Sequence, residues 1–91
     1  MAIRIAKSVQ WTKLGEEVVI LNSSSGRYYS LDPVGSRAWC LMVEGLTVDE
    51  IVSTMLREFA AEEQQLRTDL RELIENLVER FLVLVSDKAA E

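Results

Sequence analysis

The side chains that most often carry chemistry are sparse in this chain and badly placed for it. There is no histidine and only one cysteine, Cys40, so the commonest metal ligand and general base are missing and no disulfide framework can form. Cys40 stands between Trp39 and Leu41 in an apolar run and reads as a small core side chain. Glu16–Glu17 and Glu62–Glu63 are adjacent carboxylates, but sequence neighbours point apart in strands and helices alike, so neither pair can share a proton. No glycine-rich phosphate loop and no nucleophile–base pair is visible. These residues predict a protein that is not an enzyme and needs no cofactor or metal. The remaining candidates are contact residues, above all the tyrosine run "RYYSL" (27–31).

The elements that must position that run can be read from periodicity. Ile3, Ile5, Val9 and Trp11 fall on odd positions, with Lys7 the exception, which predicts one half-buried strand from residue 3 to 11. "TKLG" (12–15) supplies a turn. "EVVILN" (17–22) is apolar on both faces, as a strand covered on each side would be. The turn residues "NSSSG" (22–26) then lead into "RYYSL" as a third strand.

Asp32 offers a carboxylate N-cap, Pro33 suits the first helical position, and Gly45 stops that helix after about Glu44. Thr47 and Glu50 have capping-box spacing, and the second helix buries Ile51, Val52, Met55, Leu56 and Phe59. No breaker separates it from a third helix, but a chain this short must fold back, which places the break near Ala60 and Ala61. On the third helix Leu66, Leu70, Leu73, Ile74, Leu77, Val78 and Phe81 cover an arc of roughly 140°. "LVLV" (82–85) is read as a short final strand, and residues 87–91 of "SDKAAE" as a frayed tail beyond one domain (1–86). The expected fold is α+β and winged helix-turn-helix-like: a three-stranded antiparallel N-terminal sheet followed by three helices.

Charge removes two classes of partner. Ten basic against fifteen acidic residues give −5, a poor balance for phosphate. The third helix, the recognition helix of a winged-helix DNA-binding regulator, sets Arg67, Arg71 and Arg80 against Glu62, Glu63, Asp69, Glu72, Glu75 and Glu79. That face repels nucleic acid. Apolar runs fall well short of the ~20 residues that span a bilayer, and "MAIRIAKSVQ" is interrupted by Arg4 and Lys7, so the expectation is a soluble cytoplasmic protein without membrane contact.

Two surfaces remain. If Leu31 points inward, Tyr29 shares its face, while Tyr28 and Ser30 point away. With the second strand central, the third has a free edge, and no Pro or Lys from Arg27 to Leu31 blocks it. An extended peptide could add there. On the third helix, the Leu66–Asp69–Leu73 edge could line an apolar groove with one fixed polar group.

The ordered set "LNSSSGRYYSLDPVGSRAWCLMVEGLTVDEIVSTMLREF", followed by a long amphipathic helix, resembles the PqqD-like family of peptide-recognition domains, also called RiPP recognition elements. The resemblance spans roughly residues 16 to 85 and rests on Leu31-Asp32, Ala38-Trp39, Leu41, Gly45, "LTVDEIV" and the spaced leucines. As a stand-alone domain the chain is most similar to the leader-binding proteins of lasso peptide biosynthesis. The resemblance implies binding of the leader of a ribosomally made precursor peptide as an added strand. Its partners would be a leader peptidase of the cysteine protease class and the lasso cyclase. Carried onto this sequence, the peptide-binding residues are Arg27, Tyr28, Tyr29, Ser30 and Leu31 on the strand and Leu66, Asp69, Leu70 and Leu73 on the helix. A chaperone acting with a radical enzyme in quinone cofactor biosynthesis shares the fold and is the other function the resemblance allows.

Overall fold

A two-residue hairpin at Gly15–Glu16 sets the register of the main sheet. In the computed structural model, which describes residues 2–86, Gly15 has φ +64°. Glycine at the first of two central positions is what a type II′ turn requires. The turn joins β2 (Val9–Leu14) to β3 (Glu17–Asn22), and β4 (Arg27–Leu31) returns along the far side of β3. The sheet order is β2-β3-β4, so β3 is central and β4 is an edge.

The N-terminal segment departs from the expected single strand. It forms two, β1 (Ala2–Ile5) and β2, separated by a tight turn in which the Val9 N–H donates to the Ala6 carbonyl at 3.2 Å. Lys7, the break in the alternation, lies in that turn. Three intervening residues preserve odd parity, which made two strands look like one. β2 also runs on through "TKL", so the turn follows Leu14. β1 pairs antiparallel with the C-terminal strand β5 (Val83–Ser86), Ile3 opposite Val85 and Ile5 opposite Val83, in a separate two-stranded sheet. The final strand of the sequence reading is therefore present, one residue later than placed. Residues 87–91, read as a frayed tail, lie outside the described residues.

Three helices follow, α1 (Pro33–Val43), α2 (Val48–Glu58) and α3 (Glu63–Glu79); α1 packs on β3 and β4, and α2 and α3 pack against α1 and each other. Asp32 caps α1 through its side chain, and Thr47 with Glu50 forms the capping box of α2. The α2–α3 break falls at residues 59–62, and Glu62 caps α3 by accepting the Gln65 N–H at 2.7 Å. Phe59, extended at φ −122° and ψ 142°, packs against the core and so ends α2 without a breaker residue. Trp39 is fully buried and meets Trp11 edge to face, ring centroids 6.3 Å apart. Around it pack Val18, Ile20, Leu41, Met42, Ile51, Met55, Leu70, Ile74, Leu77 and Leu82. Cys40 is half-buried against this cluster.

Arg37 of α1 makes two hydrogen bonds to Glu58 at the end of α2 (2.8 and 2.7 Å). These raise the Arg37 pKa and lower that of Glu58. Arg67 of α3 makes one bond each to Asp49 of α2 (2.8 Å) and to Glu63 (3.0 Å), which together raise its pKa.

Two expectations fail on packing. β3 is covered on one face only: Val18, Ile20 and Asn22 are buried, while Val19 and Leu21 are half-buried on the outer face beside Gln10, Thr12 and Tyr28. Val78 and Phe81 do not complete the apolar arc of α3, both being exposed. The helix ends at Glu79, Phe81 turns left-handed (φ +60°), and its N–H and that of Leu82 close onto the Val78 and Leu77 carbonyls at 3.0 and 2.9 Å. This Schellman closure takes Phe81 off the helical wheel and delivers Leu82 to the core in its stead. Phe81 is 77% exposed in a conformation that favours glycine. Phe81→Gly is expected to raise stability by about 0.5–1 kcal/mol in urea denaturation, because left-handed strain is relieved and little buried area is lost.

Candidate functional site

The edge presented by β4 can be resolved amide by amide. A two-residue turn makes Leu14 and Glu17 a hydrogen-bonded pair, so Glu17, Val19 and Leu21 direct their backbone groups to β2. The Ser23 N–H continues that series by donating to the Ser8 carbonyl at 2.9 Å. Val18, Ile20 and Asn22 then face β4, where their partners are Leu31, Tyr29 and Arg27. Tyr28 and Ser30 are left with N–H and C=O groups turned toward the open edge.

At the Leu31 end a side chain intervenes. The Ser36 hydroxyl accepts the Val18 N–H at 2.7 Å and donates to the Leu31 carbonyl at 3.0 Å. Ser36 is buried, and this relay fixes the first turn of α1 to the end of the β3–β4 ladder. The edge strand and the helix beside it are thereby set in one geometry.

Beside Leu31 opens a cavity of about 330 Å³. Asp32, Val34, Gly35 and Ala38 of the α1 entry, Met55 of α2, and Leu66, Asp69, Leu70 and Leu73 of α3 line it. Gly35 is what leaves the space: a Cβ there would stand 3.1 Å from Asp32 Oδ1 and 3.8 Å from Leu73 Cδ2. α3 runs antiparallel to β4. Leu73 approaches the Leu31 end, while the Arg80 guanidinium lies 5.2 Å from the centroid of the Tyr29 ring and the Arg80 carbonyl accepts from the Asn22 amide at 3.3 Å. An extended groove results, floored by apolar side chains and open along one backbone edge.

Of the residues singled out from sequence, the structure brings Leu66, Asp69, Leu70 and Leu73 to the cavity and Arg27, Tyr29 and Leu31 to the inner face of β4, while Tyr28 and Ser30 offer the groove only their backbone and point their side chains to the outer face. Tyr28 is 70% exposed, Arg27 and Ser30 are exposed, and Tyr29 and Leu31 are half-buried on the inner face. Leu66, Asp69, Leu70 and Leu73 share the cavity wall, but Leu66 and Leu70 are mostly core, and Leu73 and Asp69 present the accessible surface. Sequence reasoning missed Val34, Gly35, Ala38 and Met55 as wall residues and saw Asp32 only as a cap. The readable signal was Gly35: glycine in a first helical turn costs helix stability and often marks close approach. Among the described residues no group of acidic or cysteine side chains could hold a metal ion, and no helix is long and apolar enough to cross a membrane.

Residues 17–83 match the profile of the family described as coenzyme PQQ synthesis protein D (PqqD). The chain belongs to the PqqD family. Two solved structures share this PqqD-type fold. "TbiB1 in Complex with the TbiA(beta) Leader Peptide" superposes with a TM-score of 0.88 at 33% identity, over 92% of this chain and 99% of that one. "Lasso peptide synthetase B1 complexed with the leader peptide" superposes with a TM-score of 0.84 at 18% identity, over 91% and 98%. No curated protein sequence matches the chain.

Because PqqD-type geometry here depends on the hydroxyl relay, Ser36→Ala should leave the Val18 N–H buried without an acceptor. A loss of about 1–3 kcal/mol is expected in chemical denaturation, with faster hydrogen exchange at the Val18 amide.

Proposed function

We propose that this protein binds the leader segment of a ribosomally synthesised precursor peptide. The leader would add as a strand to β4 and seat side chains in the cavity between α1 and α3. The observation that carries this reading is the juxtaposition of an unpaired strand edge with an apolar cavity at its end. An extended chain can meet both at once, with backbone bonds to Tyr28 and Ser30 and side-chain burial beside Leu73. It is supported by a relative of 33% identity whose structure is described in complex with a leader peptide. The peptide-contacting residues are Arg27, Tyr28, Tyr29, Ser30 and Leu31 on β4 and Leu66, Asp69, Leu70 and Leu73 on α3.

The role is delivery rather than catalysis. The protein presents the leader in the cytoplasm to a separate leader peptidase of the cysteine protease class, after which a cyclase closes the core peptide of a lasso product. No titratable group in the groove is paired with a nucleophile. A DNA-binding role is disfavoured by the acidic surface of α3, and the quinone-pathway role by the likeness to a 33%-identical structure in complex with a leader peptide.

Magnitudes agree with a moderate binder. Each backbone bond contributes ~0.5–1.5 kcal/mol net, and each side chain fully buried in the groove ~1.5–3 kcal/mol. With four outward groups on Tyr28 and Ser30 and two buried side chains, and after the cost of ordering the peptide, the upper end of these ranges reaches about 8 kcal/mol, a dissociation constant of about micromolar.

The edge and the cavity can be tested separately. Ser30→Pro removes an outward N–H and should leave the β3 ladder intact, so the variant is expected to fold and lose affinity for a leader peptide about tenfold or more by titration calorimetry. Tyr29→Pro removes a ladder bond and should unfold at markedly lower denaturant; reversed behaviour of the two variants would refute the assigned parity. Leu73→Asp, at a half-buried position, is expected to weaken leader binding about tenfold or more while circular dichroism stays native. Unchanged affinity would remove the cavity from the site.

A further inference from the structure

The groove is electrically polar along its length. At the cavity end Asp32 Oδ1 accepts the Gly35 N–H at 2.7 Å and Asp69 Oδ1 accepts from Gln65 Nε2 at 2.8 Å. Neither carboxylate has a basic partner among the described residues, whose ion pairs are Arg37–Glu58, Arg67–Asp49 and Arg67–Glu63. At the other end Arg80 lies over Tyr29 and reaches only the neutral Asn76 Oδ1, at 3.4 Å. Arg27 is two residues from Tyr29 on the same face of β4, opposite the Asn22 whose amide holds the Arg80 backbone. Neither arginine has an acidic partner among the described residues.

From Arg27 to Asp32 the backbone advances about 17 Å, at ~3.4 Å per residue. That is about twice the ~8 Å screening length at physiological ionic strength, so each end acts on its own part of a bound chain. The cavity end accepts an aliphatic stem against Leu73 and Leu66 with a cationic head at the aspartates. An acidic side chain there would lose water and face two carboxylates. The arginine end has the opposite preference.

Resting on the strand-addition reading, we propose that the groove selects peptides by the order of their charges. The bound segment carries a basic side chain where it enters the cavity between Asp32 and Asp69, and a carboxylate where it passes Arg27 and Arg80. This makes Arg27, Arg80, Asp32 and Asp69 specificity determinants, separate from the backbone edge and the apolar floor that hold any extended chain. Each end contributes up to about fivefold in affinity, as partly exposed pairs do, and the preference fades with salt.

The test pans random dodecapeptides displayed on phage against the full chain and against the triple variant Arg27→Glu, Arg80→Glu, Asp69→Lys, with Asp32 kept as the helix cap. Peptides from the wild-type chain should place a basic and an acidic residue roughly four to six positions apart in one order. Peptides from the variant should carry a basic residue where the wild-type selection placed the acidic one and lose the preference at the cavity end, where the introduced lysine offsets Asp32, and fluorescence anisotropy at low and high salt should show the wild-type preference weakening with salt. If that variant fails to fold, the neutral set Arg27→Gln, Arg80→Gln, Asp69→Asn should remove the acidic preference and weaken the basic one, lowering affinity by up to about fivefold per end. Selected peptides that shift the Tyr28 and Ser30 amides in NMR yet share one charge order, or none, between wild type and variant would overturn the proposal alone. Selected peptides that leave those amides unmoved would overturn the strand-addition reading and the charge order with it.

Discussion

One buried hydroxyl holds the architecture together at its most exposed point. Ser36 bonds the Val18 N–H and the Leu31 carbonyl, so the ladder between the central strand and the edge strand is completed through the first turn of a helix. The end of β4 is therefore tied to α1, and α1 carries Asp32, Val34, Gly35 and Ala38 into the cavity wall. Edge strands are normally the loosest part of a sheet, with half their backbone groups unpaired. Here the loose side is kept straight because its inner side is fastened to the core twice, through β3 and through Ser36.

A second fastening works from the opposite end. The Asn22 amide bonds the Arg80 carbonyl, and Arg80 covers the Tyr29 ring, so the C-terminus of α3 is pinned to the β3–β4 hairpin. With both ends fixed, α3 and β4 form the two walls of a groove whose width is set before anything enters it. Preorganisation of this kind would lower the protein's share of the ordering cost for any strand added to β4. A thin core can support such a groove because the apolar side chains that line it, Leu66 and Leu70, also belong to the core.

The helices were legible in the sequence because their signals are local: Asp32-Pro33, Thr47 with Glu50, and Gly45 all lie within a few residues of the ends they define. The tyrosine strand and the wall formed by Leu66, Asp69 and Leu73 were legible because alternation and helical spacing report which side chains share a face. What failed depended on distant partners. Lys7 looked like one polar interruption because a three-residue turn conserves parity, and only pairing of β1 with β5 separates the strands. Phe81 fitted the helical wheel because the left-handed residue that ends α3 is a phenylalanine where glycine would have announced the stop. Val19 and Leu21 suggested a second covering layer, whereas their neighbours on β2 and β4 shield them only in part. Ser36 carried no signal at all, since a serine in a helix turn reveals nothing about a strand end eighteen residues earlier.

The alternation of outward groups on β4 has a consequence for measurement along a bound chain. Tyr28 and Ser30 offer hydrogen bonds at intervals of two residues, about 6.8 Å, so an added strand can sit only in frames two residues apart. A slip by one would turn its groove-facing side chains into solvent. For a strand added as proposed, the cavity beside Leu31 would supply the stop from which the frame is counted. On the docking proposed above, edge and cavity would act as a ruler with coarse divisions: a residue inserted beyond the docked segment would leave docking untouched, yet shift all that follows about 3.4 Å further along and onto the opposite face of an extended chain.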